Sequence, residues 1–156
     1  MNVLEIMTRD VASCRETDAL AEAARLMAEL DCGCIPVTAD AVSRKVIGIV
    51  TDRDICLASY RTGKPLSELR VRDAMATPVR TCAADASAAE AEYVMRDAQV
   101  RRLPVVDERG ALVGIVSLAD LAREAEHERR LSNPPLSRIE IGATLAAICA
   151  PRPRVA

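Results

Sequence analysis

The chain carries one pattern of residues twice along its 156 positions. Each copy begins with a methionine and continues to an apolar-Pro-Val step. Each copy then ends with a glycine, two apolar residues and a hydroxyl residue, followed by an aspartate one helical turn later. In the first copy these landmarks are Met7-Thr8, Ile35-Pro36-Val37 and Gly48–Asp54; in the second they are Met75-Ala76, Leu103-Pro104-Val105 and Gly114–Asp120. Repeats on this scale are units that bury their apolar faces against one another. The repetition therefore predicts two similar modules, with a hydroxyl and an acid at corresponding places.

The residue pattern within each copy predicts the order β-α-β-β-α. Apolar residues recur at helical spacing between Leu20 and Leu30, which indicates a helix with one buried face. The first copy is predicted to have a strand at Val11–Cys14, a helix capped by Thr17 or Asp18, strands at Ile35–Thr38 and Val46–Val50, and a helix from Thr51 to about Tyr60. The second is predicted to have a strand at Val79–Cys82, a helix capped by Asp85 or Ser87, strands at Leu103–Val106 and Leu112–Val116, and a helix to about Arg130.

The repeats divide the chain into four segments. We predict a first repeat over residues 1–60, a linker over 61–72, a second repeat over 73–130 and a tail over 131–156. In the tail, Ser137 and Glu140 have the spacing of a helix capping box, and the mostly apolar stretch Ile141–Cys149 follows. We expect a short helix there that packs on its own module or on a second chain. A disordered tail is the alternative.

Composition argues against several classes of protein. Half of the residues are hydrophobic but none is Trp or Phe, so the core must be aliphatic. The net charge of −2 argues against a general nucleic-acid binder. No apolar run approaches the roughly 20 residues of a membrane-spanning helix, and the N-terminus lacks the layout of a secretory signal. We expect a soluble, cytoplasmic protein with no nucleic-acid or membrane partner.

The repeated landmarks resemble a pair of cystathionine-β-synthase (CBS) domains, the arrangement called a Bateman module. The resemblance covers about residues 1–130. It depends on the two methionine starts, on Arg102–Asp107, and most of all on Gly48–Asp54. The whole chain also resembles small stand-alone bacterial CBS-domain proteins, some of them linked to hypoxia or dormancy responses.

The resemblance implies a mixed α+β fold in which two tandem β-α-β-β-α repeats pack sheet to sheet about a pseudo-twofold axis. It also implies a homodimer and clefts between repeats that hold an adenosine-bearing regulatory ligand: AMP, ADP, ATP or S-adenosylmethionine. No chemistry occurs in such clefts, because the ligand only shifts a conformational equilibrium. We therefore expect a sensor that is not an enzyme, needs no cofactor and acts on an unknown partner protein.

The hydroxyl-x-x-Asp spacing has a physical use at such a cleft. The hydroxyl lies where a strand gives way to a helix, and the free N–H groups of the helix start favour phosphate. An aspartate one turn further along can accept hydrogen bonds from both ribose hydroxyls. By the resemblance, each acid works with the apolar-Pro turn of the other repeat. The primary cleft then comprises Thr51, Asp54, Val79, Val100, Arg101, Arg102 and Leu103. The weaker cleft comprises Ser117, Asp120, Val11, Cys32, Gly33, Cys34 and Ile35.

These two clefts are predicted to differ in charge. In the primary cleft, Arg101 and Arg102 can meet phosphate, and arginine can do so through two hydrogen bonds at once. The turn that contributes Cys32 to the weaker cleft offers no cation. We expect the Asp54 cleft to bind nucleotide more strongly. The Asp120 cleft is expected to be weaker, empty or filled by an uncharged adenosine group.

Other interpretations stay open. A hydroxyl residue followed one turn later by Asp is also ordinary helix-start chemistry, so in one alternative Asp54 and Asp120 only complement the helix dipole. The six cysteines are expected to be reduced, inert thiols. A redox role for Cys32 or Cys34 with Cys14, and a zinc site, are alternatives. A ligand-free interaction protein or a thiol-redox-responsive stress protein is the main functional alternative. No catalytic motif supports an enzyme.

Overall fold

A computed structural model describes residues 1–127 and 137–151 of the chain. In chain order its elements are α1 (Val3–Ile6), β1 (Cys14–Arg15), α2 (Leu20–Glu29), β2 (Cys34–Thr38), β3 (Val46–Thr51), α3 (Asp52–Thr62), a 3-10 turn (Val71–Asp73), β4 (Cys82–Ala83), α4 (Ala88–Ala98), β5 (Arg102–Val106), β6 (Leu112–Ser117), α5 (Leu118–His127) and α6 (Arg138–Cys149). The described part of the chain contains no helix with the length and apolar character needed to cross a membrane.

These elements form two compact units, which we name by the repeat that supplies most of each. The second-repeat unit comprises Met1–Arg9, Arg80–Val105 and the described chain from Val113 onward. The first-repeat unit comprises Asp10–Val79 and Val106–Leu112. Each unit thus combines most of one repeat with a short segment that lies elsewhere in the chain.

The first-repeat unit is built on a three-stranded sheet with the order β1-β2-β3. Strand β1 runs parallel to β2, and β3 runs antiparallel to it, with Cys34 opposite Thr51. Helix α2 buries Leu20, Ala23 and Met27, because residues at this spacing share one face of a helix. The core is aliphatic, as the composition requires.

The second-repeat unit has the corresponding three-stranded sheet, with the order β4-β5-β6. Its core includes Met95, Leu103, Val116 and Leu121, all fully buried. Helix α1 adds Val3 to this core, and the Val3 N–H donates to the Ala86 carbonyl at 2.8 Å. Helix α6 also packs here, through Ile141 and Ile148.

Each of the two repeated glycines lies close to one of the two methionine starts. In the second-repeat unit, a Cβ on Gly114 would lie 2.5 Å from the Met7 sulfur and 2.8 Å from the Thr8 carbonyl oxygen. In the first-repeat unit, a Cβ on Gly48 would lie 2.9 Å from the Met75 sulfur and 3.2 Å from the carbonyl oxygen of the next residue. A side chain at Gly114 would collide with the backbone of the adjacent segment, whereas one at Gly48 would press on a flexible methionine and lie tightly against a carbonyl oxygen.

The predicted mixed α+β class is confirmed, and the order of elements in each repeat follows the prediction. The brief strands were placed too early, because β1 begins at Cys14 and β4 at Cys82. The predicted cap of α2 was wrong. The N-cap is Ala19 without a side-chain bond, because the Asp18 carboxylate instead accepts hydrogen bonds from Arg15. Helix α1 was not predicted, and the last three residues of the predicted helix ending at Arg130 lie outside the described residues.

Candidate functional site

The candidate site of each repeat lies where its central hairpin meets a helix. In the second-repeat unit, the Leu118 N–H at the start of α5 donates to the Arg101 carbonyl at 2.9 Å. In the first-repeat unit, the Asp52 N–H at the start of α3 donates to the Gly33 carbonyl at 3.3 Å. The same geometry arises twice because the beginning of one hairpin strand lies beside the end of the other.

The hydroxyl and the acid of each repeat form a reciprocal cap at this helix start. The Asp54 Oδ2 atom accepts hydrogen bonds from the Thr51 N–H at 2.9 Å and from its hydroxyl at 2.7 Å. The Asp120 Oδ2 atom accepts the same pair from Ser117, at 2.8 Å and 2.6 Å. Each hydroxyl in turn accepts the N–H of its aspartate at 3.2 Å. The structural role of these pairs is therefore established, and their contact with a ligand stays a prediction.

The surroundings of the second carboxylate oxygen, Oδ1, distinguish the two aspartates. The Asp120 Oδ1 atom accepts a hydrogen bond from the guanidinium of Arg123, and the Asp120 side chain is only 10% exposed. At the corresponding place in the first repeat, one turn after Asp54, the chain has Leu57, which carries no charge. The Asp54 carboxylate therefore has more capacity to accept ribose hydroxyls than the Asp120 carboxylate has.

A cavity of about 340 Å³ opens beside Ser117 within the second-repeat unit. It is lined by Arg101, Arg102, Ser117, Leu118, Ala119, Ala122, Ile141 and Leu145. Two guanidinium-bearing residues and a hydroxyl thus share one small volume with aliphatic side chains. Such a mixture suits an amphiphilic anion, because polar groups fix orientation while apolar walls supply contact area.

This grouping was missed by the sequence analysis, which assigned Arg101 and Arg102 to the cleft of Asp54. In the structure the two arginines line a cavity with Ser117 of their own repeat. The apolar-Pro step and the hydroxyl lie on the two strands of one hairpin, so hairpin pairing alone would have brought them together. Sharing of either cleft between repeats stays a prediction.

The cores and sheets of the two units fix the positions of several predicted site residues. The side chains of Leu103 and Ile35 are buried in the two cores, at 0% and 1% exposure, so only their backbone atoms can face a ligand. Cys34 is buried beside Thr51, and Cys32 and Gly33 precede it at the same end of the sheet. Val79 and Val100 are half-buried.

The remaining predicted residue, Val11, lies next to a cation that was not foreseen. The guanidinium of Arg44, in the β2–β3 turn, donates to the Val11 carbonyl at 3.1 Å. Both residues belong to the first-repeat unit. The sequence could not indicate this contact, because the two residues are far apart along the chain.

Two of the buried cysteines, Cys14 and Cys82, favour inert thiols, whereas Cys56 and Cys149 are exposed. Burial, helped by the charge of Asp18, raises the pKa of the Cys14 thiol to about 12, and burial raises that of the Cys82 thiol to about 11. Both are therefore protonated and unreactive near neutral pH. The Cys32 thiol donates to the Cys34 carbonyl at 3.5 Å. Within residues 1–127 and 137–151, no three His, Cys, Asp or Glu side chains are grouped so that they could hold a metal ion.

Comparison with known proteins gives the family. A model of the CBS domain matches residues 3–61 and 71–127. Protein MK0525 of Methanopyrus kandleri is 36% identical over 121 residues, which are 78% of this chain and 61% of the relative, so this chain spans less than two thirds of that protein. Hypoxic response protein 1 of Mycobacterium tuberculosis is 35% identical over 119 residues, which are 76% of this chain and 81% of the relative.

Solved structures agree with this assignment. A crystal structure of Hypoxic Response Protein I, which holds two coordinated zinc ions, has a TM-score of 0.71 at 34% identity and covers 79% of this chain and 98% of its own. The fold is also that of CBSX2 in complex with AMP, with a TM-score of 0.71 at 23% identity over 83% of this chain and 98% of that one. Two family matches, one on each copy of the repeated pattern, show that this chain belongs to the CBS-domain family.

Proposed function

We propose that this chain is a regulatory CBS-pair protein that binds an adenosine-bearing ligand and passes a conformational change to a partner protein without catalysing a reaction. The candidate ligands are AMP, ADP, ATP and S-adenosylmethionine, and the working form is a cytoplasmic homodimer. The observation that carries the proposal is the cavity in which Arg101 and Arg102 meet Ser117 at the start of α5.

Physical chemistry favours a nucleotide in this cavity. Phosphate oxygens accept charge-assisted hydrogen bonds from guanidinium groups, and the positive end of the α5 dipole attracts the same charge. Leu118 and Ala122 supply apolar surface that can contact adenine. The cavity volume of about 340 Å³ is also at the scale of small-molecule sites.

Relatives of known structure support this ligand class. The fold is shared with CBSX2, solved in complex with AMP, and with the CBS domain pair of protein MJ0100, solved in complex with 5′-methylthioadenosine and S-adenosyl-L-methionine. These proteins are under 25% identical to this chain, so they support an adenosine ligand without choosing among the four candidates.

The two repeats differ in the part of a nucleotide that each is suited to bind. The arginines lie with Ser117, which supports phosphate binding in the second repeat. Leu57 occupies the position in the first repeat that corresponds to Arg123, so no guanidinium from that position competes for the Asp54 carboxylate, which supports ribose binding in the first repeat. The sequence-based ranking, with the Asp54 cleft stronger, therefore competes with a ranking led by the arginine cavity.

Calorimetric titration of the full chain with AMP tests the proposal and decides this ranking. We expect Arg102→Gln to weaken AMP binding about tenfold through loss of a charge-assisted contact to phosphate. Arg109→Gln, in the exposed β5–β6 turn, is the matched control for loss of one positive charge and is expected to bind as the wild type does.

Two further variants separate the two sites. Ser117→Ala removes the hydroxyl of the second-repeat cavity, and Asp54→Asn removes the charge of the first-repeat acid while it keeps a side-chain oxygen for the helix cap. Loss of affinity in Ser117→Ala together with Arg102→Gln assigns the phosphate to the second-repeat cavity. Loss in Asp54→Asn together with Arg102→Gln assigns it to the predicted primary cleft. Unchanged affinity in all three variants contradicts the proposed sites.

A ligand-free interaction protein is the second candidate, and the outer face of α6 favours it. Ile139 is 85% exposed there, and the helix carries charge only at Arg138 and Glu140. Thermal-shift measurements with AMP, ADP, ATP and S-adenosylmethionine separate the candidates, because a ligand that binds the folded chain raises its melting temperature. An unchanged melting temperature with all four compounds favours the interaction protein.

A further inference from the structure

We propose that α6 forms the apolar wall of the Ser117 cavity, so that ligand binding and docking of α6 stabilise each other. Helix α6 lies outside both segments that match the CBS domain, the second of which ends at residue 127. This inference rests on the proposed function. It adds a helix that contributes to ligand specificity and whose state reports that the ligand is bound. It concerns only the second-repeat unit, which contains both the cavity and the helix.

Specific contacts hold α6 against its own unit. The Thr144 hydroxyl, at 0% exposure, donates to the carboxylate of Glu92 on α4, which is 7% exposed. The side-chain amide of Gln99 donates to the Ala147 carbonyl at 2.9 Å. An ion pair of 3.6 Å joins Arg138 to Glu126 on α5. The buried Thr144–Glu92 contact favours one orientation of the helix, because it fixes a particular pair of atoms, and the other two contacts agree with that orientation.

This orientation directs two aliphatic side chains into the cavity. Ile141 and Leu145, one turn apart on α6, line it together with the two arginines. Leu145 remains 48% exposed, so docking of the helix leaves much of this apolar side chain uncovered. A ligand with an apolar ring and an anionic group would cover Leu145 while its charge meets the guanidinium groups.

Contact between ligand and helix makes the two events reciprocal. If a ligand binds more tightly when α6 is docked, the same factor must favour docking when the ligand is present. Occupancy of the cavity would then be reported by the state of α6, on which Ile139 is exposed. The chain would thus convert ligand concentration into exposure or order of one helix.

Paired substitutions on α6 test this inference by calorimetry with AMP on the full chain. Leu145→Ser removes apolar surface from the cavity wall and is expected to weaken AMP binding about fivefold. Ile139→Ser changes the same helix on its exposed face, away from the lining residues, and is expected to leave affinity unchanged. Amide hydrogen exchange over residues 138–149, measured with and without AMP, is expected to slow when AMP binds to the wild type.

The outcomes separate this inference from the proposed function. If the wild type does not bind AMP, ADP, ATP or S-adenosylmethionine, both fail. If the wild type binds AMP and Arg102→Gln weakens binding, but Leu145→Ser matches Ile139→Ser and exchange over α6 is unchanged, the function stands and the inference is overturned. Tighter binding in Leu145→Ser would also overturn it, because α6 would then obstruct the cavity.

Discussion

At the scale of single residues, the repeated glycines are the positions where one added carbon has the largest predictable cost. The Thr8 carbonyl that approaches Gly114 is backbone, so it can move only with its segment, whereas the Met7 side chain can change rotamer. The equivalent backbone oxygen near Gly48 lies farther away, at 3.2 Å instead of 2.8 Å. The two glycines are alike in sequence but are expected to differ in tolerance.

We expect Gly114→Ala to destabilise the chain by about 3 kcal/mol and Gly48→Ala by about 1 kcal/mol, because overpacking costs rise with the forced displacement. Gly142→Ala on α6 is the control, since nothing lies within 4 Å of its added carbon. In a helix interior that change is expected to stabilise by about 0.5–1 kcal/mol. Urea unfolding of the three variants measures these differences, and equal losses at Gly114 and Gly48 would contradict the argument.

Local chemistry was predictable from the sequence, and contacts between distant residues were not. Ser87 and Ser137 cap their helices as expected, since a cap involves residues only one turn apart. Asp18 failed as a cap because Arg15 competes for its carboxylate. The glycine landmarks identified the repeat, but their packing against Met7 and Met75 depends on the tertiary fold.

At the scale of elements, α6 is the part of the fold that the repeat does not explain. The capping-box spacing and apolar run predicted a helix, and the structure has one at Arg138–Cys149. Its docking depends on a buried glutamate at position 92, and the sequence offered no reason to place an acid in a core. Burial raises the pKa of Glu92, the charge of Glu140 raises it further, and Arg96, 3.8 Å away, opposes the shift.

This raised pKa makes the stability of the folded chain dependent on pH. The folded chain keeps a proton on Glu92 that the unfolded chain releases above its ordinary pKa of 4.5, so stability falls as the pH rises from that value to the raised one. Glu92→Gln stays neutral and keeps an oxygen to accept from Thr144. We expect it to stabilise the chain by roughly 1 kcal/mol at pH 7.5 and to have little effect near pH 4. Thermal melts across this range measure the difference.

Glu90, two residues away on the same helix, provides a control of opposite sign. Hydrogen bonds from the Ser87 hydroxyl and N–H lower the pKa of Glu90, so its contribution is present above the unfolded pKa and is lost on acidification. Glu90→Gln should therefore destabilise at pH 7.5 and become neutral in acid. If both variants shift the melting temperature in the same direction at pH 7.5, burial of Glu92 is not the cause of its effect.

At the scale of the whole molecule, the compact units do not coincide with the sequence repeats. Residues 1–9 belong to the predicted first repeat but lie in the second-repeat unit. Residues 71–79 span the end of the predicted linker and the start of the predicted second repeat but lie in the first-repeat unit. The sequence analysis recognised the copies from their order along the chain, and order along the chain cannot show which body a short lead-in segment joins.

The two lead-ins provide a matched pair of substitutions that tests this exchange. Val3 and Val71 occupy corresponding places before their methionines, and both are 0% exposed. Val3 packs with Met95 and Leu121 of the second repeat, whereas Val71 packs with Leu20 and Val50 of the first. We expect Val3→Ala and Val71→Ala each to cost roughly 2 kcal/mol through the cavity that each leaves.

Native-state hydrogen exchange shows where each cost appears. Val3→Ala should reduce protection in β6 and α4, and Val71→Ala should reduce it in β3 and α2, because a destabilised unit opens more often. Val3→Ala thus acts mainly on the second repeat, which lies farther along the chain. Val71→Ala acts mainly on the first repeat, which precedes it. Loss of protection in α2 from Val3→Ala, with α4 unchanged, would mean that each lead-in supports the repeat that follows it directly.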